Sequence, residues 1–327
     1  MNDMLPQHQD NIILRERYKL TKIVGQGGMG NVYRAEDLRL PGRLCAIKEV
    51  QPDPNTTAEM QAQSQSQFLK EASILAQLDH PGLPKVSDFF SENGRDYLVM
   101  DYVPGDDLRQ ILTANKGPLD EAQVLAWARQ IIDALAYLHR RNPPVLHRDI
   151  KPANIKLTPD NRIKLVDFGL VKVLSVDDAR TITVVQGRGT AMYTPLEQYG
   201  GDSGHTDIRT DIYALGATLY HLLTNVPPPD AKSRFLSPAA LQLPDEINAQ
   251  ISEPVSDAIL WALEMHPDER PSSVEAFQQV LEGVTKRPSK TPRPVHLSSF
   301  VRAIRENGLT VMIAFILFVT AILLTIM

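Results

Sequence analysis

The feature that most constrains this chain is a change of hydrophobic period near residue 104. From Tyr18 the sequence alternates apolar and polar, turns through GQGGMG, and resumes as NVYRAED and LCAIKEV, which reads as successive antiparallel strands. Two further strands, KVSDFFS and YLVMDYV, flank the turn ENGRD. One helix interrupts them. Phe68, Leu69, Ala72, Leu75, Ala76 and Leu78 repeat at helical spacing until HPGLP stops them, and the Gln/Ser/Thr-rich segment 52–66 reads as a loop running into that helix. Past VPGDD, long helical periods take over at 120–139, 209–224 and 255–265, with short strand pairs around 145–170. The chain is therefore an α+β protein with a β-rich lobe and hinge over 18–103 and a helical lobe over 104–283. Two lobes of unlike class joined by a short extended segment leave a cleft, a common place for a ligand.

The flanks differ from this bulk. Residues 1–17 form a polar arm that lacks the apolar core of a signal peptide, so the N-terminus is expected to stay inside the cell. The 284–308 stretch, which includes KRPSKTPRP, reads as an extended linker. Its six Lys and Arg against Glu306 give +5, leaving about −10 for the rest of a chain whose net charge is −5. No basic face exists on average, which argues against nucleic acid as a partner, while the local charge points to an acidic membrane surface. Leu309 to Met327 carries no charge, Pro or Gly, and its 19 residues as a helix span roughly 28 Å, close to a bilayer core. The bland alternative is a buried core helix, but that would usually show a polar face, and here only Thr310, Thr320 and Thr325 are polar. Arg293, Arg302 and Arg305 precede the span and place the bulk of the chain on the cytoplasmic side of a cell membrane. Nothing follows the span, so any signal is expected from the cytoplasm, the membrane or a partner. No G-x-x-x-G lies within it, which leaves a homodimer open. The single cysteine, Cys45, rules out an intrachain disulfide and sits in an apolar run as a buried strand thiol.

Chemistry is concentrated in four places. Gly25, Gly27 and Gly30 with Val32 form a G-x-G-x-x-G-x-V run that also contains Gln26 and Gly28. A dinucleotide fingerprint has the same glycines but opens a helix, whereas this run is flanked by strands and can lay backbone amides over a triphosphate. Lys48 follows on the next strand, and Glu71 falls in the predicted helix, where it can hold the ammonium against phosphate oxygens. HRDIKPAN then sets His147, Arg148, Asp149, Lys151 and Asn154 within eight residues, and Asp167, Phe168 and Gly169 follow a short strand. Phosphoryl transfer to a hydroxyl needs a carboxylate near the acceptor, oxygen ligands for a divalent cation, cations on the phosphates and a cover that excludes water. All of these appear in order.

With these motifs the chain resembles the eukaryotic-like (Hanks-type) protein Ser/Thr kinases over roughly 18–283, and GQGGMG, HRDIKPAN and PLEQY look most similar to the bacterial receptor-type members. The resemblance implies a bilobal kinase fold, ATP and Mg²⁺ or Mn²⁺ as nucleotide and cofactor, and protein substrates. It makes Asp149 the catalytic base, Lys48 the α/β-phosphate ligand paired with Glu71, Lys151 the γ-phosphate contact, and Asn154 and Asp167 the metal ligands. Adenine would lie between Val32 and Ala46 above and the 155–157 strand below, with Met100 as gatekeeper, Asp101 and Val103 bonding at the hinge and Asp107 near the ribose. Asp211 resembles the aspartate that braces the catalytic loop, and Glu197 with Arg270 the buried pair beneath the activation segment. Arg148 and Lys172 would form a phosphate pocket for phosphorylated Thr181 and Thr183, since Arg148 otherwise lacks an obvious partner, while Thr190 would contact Asp149 and Lys151. The sequence departs from the family at Pro195-Leu196-Glu197, which keeps the glutamate but alters the turn before it, and at Lys156, a normally apolar adenine-floor position whose stem could pack under the base. A pseudokinase scaffold would keep the fold without turnover, but Lys48, Glu71, Asp149, Asn154 and Asp167 are all intact. A small-molecule phosphotransferase is disfavoured by Lys151 and the peptide-docking region at 189–199.

Overall fold

In the computed structural model, which describes residues 12–27, 30–51, 57–167, 190–199 and 206–288, the alternating segments of the first hundred residues pair into an antiparallel sheet. Its strands are β1 (Ile13–Leu14), β2 (Tyr18–Gly27), β3 (Gly30–Asp37), β4 (Leu44–Val50), β5 (Val86–Glu92) and β6 (Arg95–Asp101), in the order β1-β2-β3-β4-β6-β5. The two residues between β5 and β6, Asn93 and Gly94, both have positive φ (51° and 73°), the conformation that matches a tight hairpin to the twist of its strands. β1 falls inside the stretch read as an arm and pairs Ile13 with Lys19.

The sheet buries both faces. One closes over Tyr18, Tyr33, Cys45, Ile47, Phe90 and Tyr97, with the rings of Tyr18 and Phe90 stacked at 6.0 Å. The Tyr18 hydroxyl donates to Asp88 at 2.8 Å, drawing β2 towards β5 across this small core. Burial pushes the Cys45 thiol up, as a strand thiol in an apolar setting should be. The other face receives Phe68, Ala72 and Leu75 of α1 (Ala58–Leu75) and is continuous with the core of the helical lobe. The reading of 52–66 as a loop is corrected from residue 58 onward. Ala, Glu, Met and Gln there are good helix formers, no Pro or Gly interrupts them, and the apolar periodicity that revealed the helix begins only where it meets the sheet.

The second lobe comprises α2 (Leu108–Asn115), α3 (Glu121–His139), α4 (Ile208–Thr224), α5 (Ala231–Leu236), α6 (Pro244–Ile247), α7 (Glu253–Ala262) and α8 (Val274–Leu281). A three-stranded sheet, β7 (Asp106–Asp107), β8 (Ile155–Leu157) and β9 (Ile163–Leu165), lies at the cleft. α4 is buried nearly all round and forms the axis of the lobe. A Cβ on its Gly216 would stand 2.6 Å from that of Ala262, so glycine permits the close α4–α7 approach. α2, α5, α6 and α8 have no long period in the sequence because each is only one to two turns.

A compact unit ends at Arg287, and a second runs from Pro288 to Met327. The linker from residue 289 and the expected span 309–327 lie outside the described residues. Among the described residues, no helix is long and apolar enough to cross a membrane.

Candidate active site

The cleft is built from the sheet downwards. In β3 and β4, Val32 pairs with Lys48 and Arg34 with Ala46, and Met100 and Leu98 on β6 lie opposite Ala46 and Lys48. Side chains two apart share a face, so Val32, Ala46, Lys48 and Met100 line one side of the sheet. The glycine run closes as a hairpin, with Gly25 opposite Val32, Gln26 opposite Asn31 and Gly27 opposite Gly30. Gly28 lies outside the described residues. Asp101 donates its N–H to Lys85 O at 3.0 Å, so a bond from Asp101 to a base would use its carbonyl, and Val103 is buried just beyond.

Lys48 is buried and its ammonium forms an ion pair with Asp167. Burial raises the Asp167 carboxyl, but the Lys48 charge and hydrogen bond outweigh it and hold the group below the usual carboxylate range. Glu71, also buried, accepts from Gln67 at 2.8 Å. Below them, Lys151 Nζ donates to both Asp149 oxygens (2.9 and 2.8 Å) and to Thr190 Oγ1 at 3.0 Å. Asn154 donates to the Asp149 carbonyl at 2.9 Å and to its Oδ2 at 2.7 Å. Asp149, Lys151, Asn154 and Thr190 thus share one network, with Thr190 joined to Asp149 through Lys151.

That network hangs from Asp211, which is fully buried on α4. It accepts from His147 N at 2.9 Å, Arg148 N at 2.7 Å and His139 Nε2 at 2.9 Å. Burial raises its carboxyl, yet these donors hold it ionised, below its ordinary value. They also hold Arg148 in the left-handed region at φ 63°, a strained conformation for a non-glycine residue that Asp167 shares at φ 58°. His147 is buried and its imidazole is pushed down by burial, so it is neutral near pH 7. Glu197 takes two bonds from Arg270, 2.6 and 3.0 Å long.

Other placements differ from the sequence reading. Arg148 has a protein partner after all, since its Nη2 donates to Thr206 Oγ1 at 2.8 Å. Burial lowers this guanidinium, opposed by the charges of Asp211 and Glu71. Asp107 caps α2, with Oδ1 accepting from Gln110 N and its own N–H donating to Gln110 Oε1, both at 2.9 Å. Lys156 is half-buried, paired with Asp107 on one side and Lys164 on the other. Pro195 is extended (φ −73°, ψ 162°) and leads into a 3-10 turn over Leu196–Gln198. Tyr193 and His221, absent from the sequence reading, share a 2.7 Å hydrogen bond that ties the segment after Thr190 to α4. Burial pushes the Tyr193 hydroxyl up to about 12. A histidine within the mostly apolar stretch 212–223 of α4 was the available signal for His221. Phe168, Gly169, Lys172, Thr181 and Thr183 lie outside the described residues.

The donor set suits a hard cation. Asn154 has spent its amide hydrogens on Asp149, leaving Oδ1 as an oxygen donor, and the Asp167 carboxylate is ionised. Among the described residues, no group of three or more His, Cys, Asp or Glu could hold a metal alone. A cation here would take its remaining ligands from phosphate and water, as Mg²⁺ usually does.

Comparison with known proteins gives a consistent result. The family model described as Protein kinase domain matches residues 18–281. Serine/threonine-protein kinase PrkC of Bacillus subtilis is 36% identical over 269 residues, covering 80% of this chain and 39% of that protein. Serine/threonine-protein kinase pkn3 of Myxococcus xanthus is 34% identical over 307 residues, covering 88% and 54%. The chain therefore spans about half or less of the length of these relatives. Among solved structures, the PpkA-294 apo form superposes with a TM-score of 0.66 at 28% identity, covering 86% of this chain and all of that one. The Mycobacterium tuberculosis PknI kinase domain gives 0.63 at 28% identity, covering 84% and 99%.

Proposed function

This chain belongs to the protein kinase domain family, and we propose that it transfers the γ-phosphate of ATP to Ser and Thr hydroxyls of proteins. The single observation that carries the reading is the Asp149–Lys151–Thr190 contact: a carboxylate, a cation and a threonine hydroxyl meet at one point of the cleft. Thr190 Oγ1 stands where a substrate hydroxyl could be held.

In this reading Asp149 orients the acceptor hydroxyl and takes its proton as the oxygen attacks the γ-phosphorus and the bond to the β-phosphate oxygen breaks, releasing ADP. Lys151 offsets charge on the transferring group, and Lys48 exchanges Asp167 for phosphate oxygens when nucleotide enters. Asn154 and Asp167 would hold Mg²⁺ or Mn²⁺, which supplies charge neutralisation on the phosphates. Val32, Ala46, Met100 and the β8 strand enclose the base, and the glycine hairpin covers the phosphates and excludes water.

The finer parts of the proposal concern place and control. Residues 309–327 anchor the chain in the cell membrane, with the kinase lobes on the cytoplasmic side, supported by the uncharged 19-residue run and the arginines before it. The chain phosphorylates itself on Thr181 or Thr183, supported by the half-buried Arg148 guanidinium, which donates to Thr206 and lies in the field of Asp211. Radiolabel transfer from ATP to a generic protein, followed by phosphoamino-acid analysis, tests the central claim. Asp149→Asn is expected to lose on the order of 10²-fold or more in turnover while still binding ATP. Near wild-type transfer by that variant refutes the assignment of the base.

A further inference from the structure

We infer that Glu49 and Asn31 are positioning residues that fix the glycine hairpin over the nucleotide, and that Arg95 locks Glu49 from the start of the neighbouring strand β6. The inference rests on the reading of the cleft as an ATP site.

Lys48 and Glu49 are neighbours on β4, so their side chains leave on opposite faces. Lys48 enters the cleft opposite Val32, and Glu49 lies behind it, 1% exposed. A buried carboxylate without partners is strongly disfavoured, and this one has four. Its Oε2 accepts from Asn31 Nδ2 at 3.3 Å, Tyr33 Oη at 3.1 Å and Gln51 Nε2 at 3.3 Å. Its Oε1 pairs with Arg95. Burial raises the carboxyl, but the bonds from Arg95 and Gln51 prevail and keep it ionised.

The hairpin touches Glu49 twice. Gly30, at φ +136°, packs so closely on β4 that a Cβ would stand 2.0 Å from the Glu49 carbonyl oxygen. The next residue, Asn31, reaches the Glu49 carboxylate and also donates to Tyr33 Oη at 3.1 Å. Glycines weaken a strand and leave its register loosely specified, so β2 and β3 need another source of registration near Gly25, Gly27 and Gly30. The buried carboxylate supplies it from the face opposite the nucleotide. Arg95 begins β6 beside the Asn93–Gly94 turn and is half exposed, and its ion pair is with Glu49, away from Lys48. Removing it strips the charge partner from Glu49 without altering any group that faces ATP.

The test uses the full-length chain. Equilibrium affinity for Mg-ATP is measured by displacement of a fluorescent nucleotide, alongside KM for ATP, KM for protein substrate, kcat, and the unfolding midpoint without nucleotide. Asn31→Ala is expected to raise Kd and KM for ATP about three- to tenfold, the worth of one hydrogen bond of ordinary strength, and to leave KM for protein within about twofold. Asn31→Asp, which sets a second carboxylate against Glu49, is expected to cost about tenfold or more. Arg95→Ala is expected to raise KM for ATP about threefold, and it carries the decision should the Asn31 variants fold poorly. A purely structural role would lower the unfolding midpoint and the active fraction but leave KM for ATP unchanged. Wild-type Kd and KM for ATP in both Asn31→Ala and Arg95→Ala overturn this inference alone. Failure of the unaltered chain to bind ATP overturns the kinase reading and this inference together.

Discussion

Replacing Glu197 by glutamine isolates the buried ion pair beneath the segment that follows Thr190. Arg270 is wholly buried and Glu197 is 10% exposed, so solvent screening is weak. All five guanidinium hydrogens are used. Nη1 and Nη2 take Glu197 at 2.6 and 3.0 Å, while Glu264 O, Met265 O and Arg209 O accept at 2.7, 3.0 and 3.3 Å. The Tyr213 ring lies 4.8 Å beneath the cation. Glutamine keeps the shape but leaves a buried positive charge without a counter-charge, which typically costs about 3–5 kcal/mol. Because three carbonyls and an aromatic face remain, the expected loss is at the lower end, about 3 kcal/mol, or roughly 6–12 °C in the unfolding midpoint. Arg270→Met should also destabilise, and the double variant should cost less than the sum by at least about 1.5 kcal/mol, since the second change removes the charge the first left unpaired. Both tryptophans, Trp127 and Trp261, are buried in the same lobe and report its unfolding by fluorescence in the purified chain. Affinity for ATP, set mainly by the other lobe and the hinge, should change little. Additive costs, or a midpoint shift below about 2 °C for Glu197→Gln, would refute the reasoning.

Lys48→Met is expected to abolish most transfer, because it removes a cation from the phosphates. A radiolabel assay showing retained autophosphorylation would dismiss that role. The full chain should sediment with membranes after lysis without detergent, and truncation near Lys286 should release an active soluble enzyme; recovery of the intact chain in the soluble fraction counts against the anchor. Mass spectrometry should find phosphate on Thr181 or Thr183 in wild-type protein and none in Asp149→Asn, with Thr181→Ala/Thr183→Ala and Arg148→Ala each lowering turnover and adding little to one another. Full activity of the double alanine variant would mean that phosphate is not needed to order that segment. Burial pushes His147 and His221 below the ordinary value of 6.5, so between their folded values and 6.5 the unfolded chain binds more protons. Stability should therefore be complete above pH 6.5 and decline as pH falls below it, with His221→Gln flattening the decline; midpoints that stay level from pH 7.5 to 5.5 would contradict this.

Much of this protein was decided within short windows of sequence. Alternation places Val32, Ala46 and Lys48 on one face and Glu49 on the other, because a strand has a period of two whatever it packs against. Asn93-Gly94 determines its hairpin through positive φ, and the closely spaced HRDIKPAN residues put Asp149, Lys151 and Asn154 within reach of each other before any tertiary contact forms. The roles of Glu197, Asp211 and Arg270 were legible only through family resemblance, since 73 residues separate Glu197 from Arg270 and no local pattern links them. Tertiary structure alone decided which charges meet. Lys48 and Asp167 are 119 residues apart, Arg148 and Thr206 58, and Arg95 and Glu49 46. The helix over 58–66 belongs with these, because good helix formers without an apolar stripe of their own hold a helix only marginally until the turns beyond them pack against the sheet. Local propensity acts through backbone sterics over a few residues, whereas a buried charge can choose its partner only after folding has excluded water and brought distant strands together.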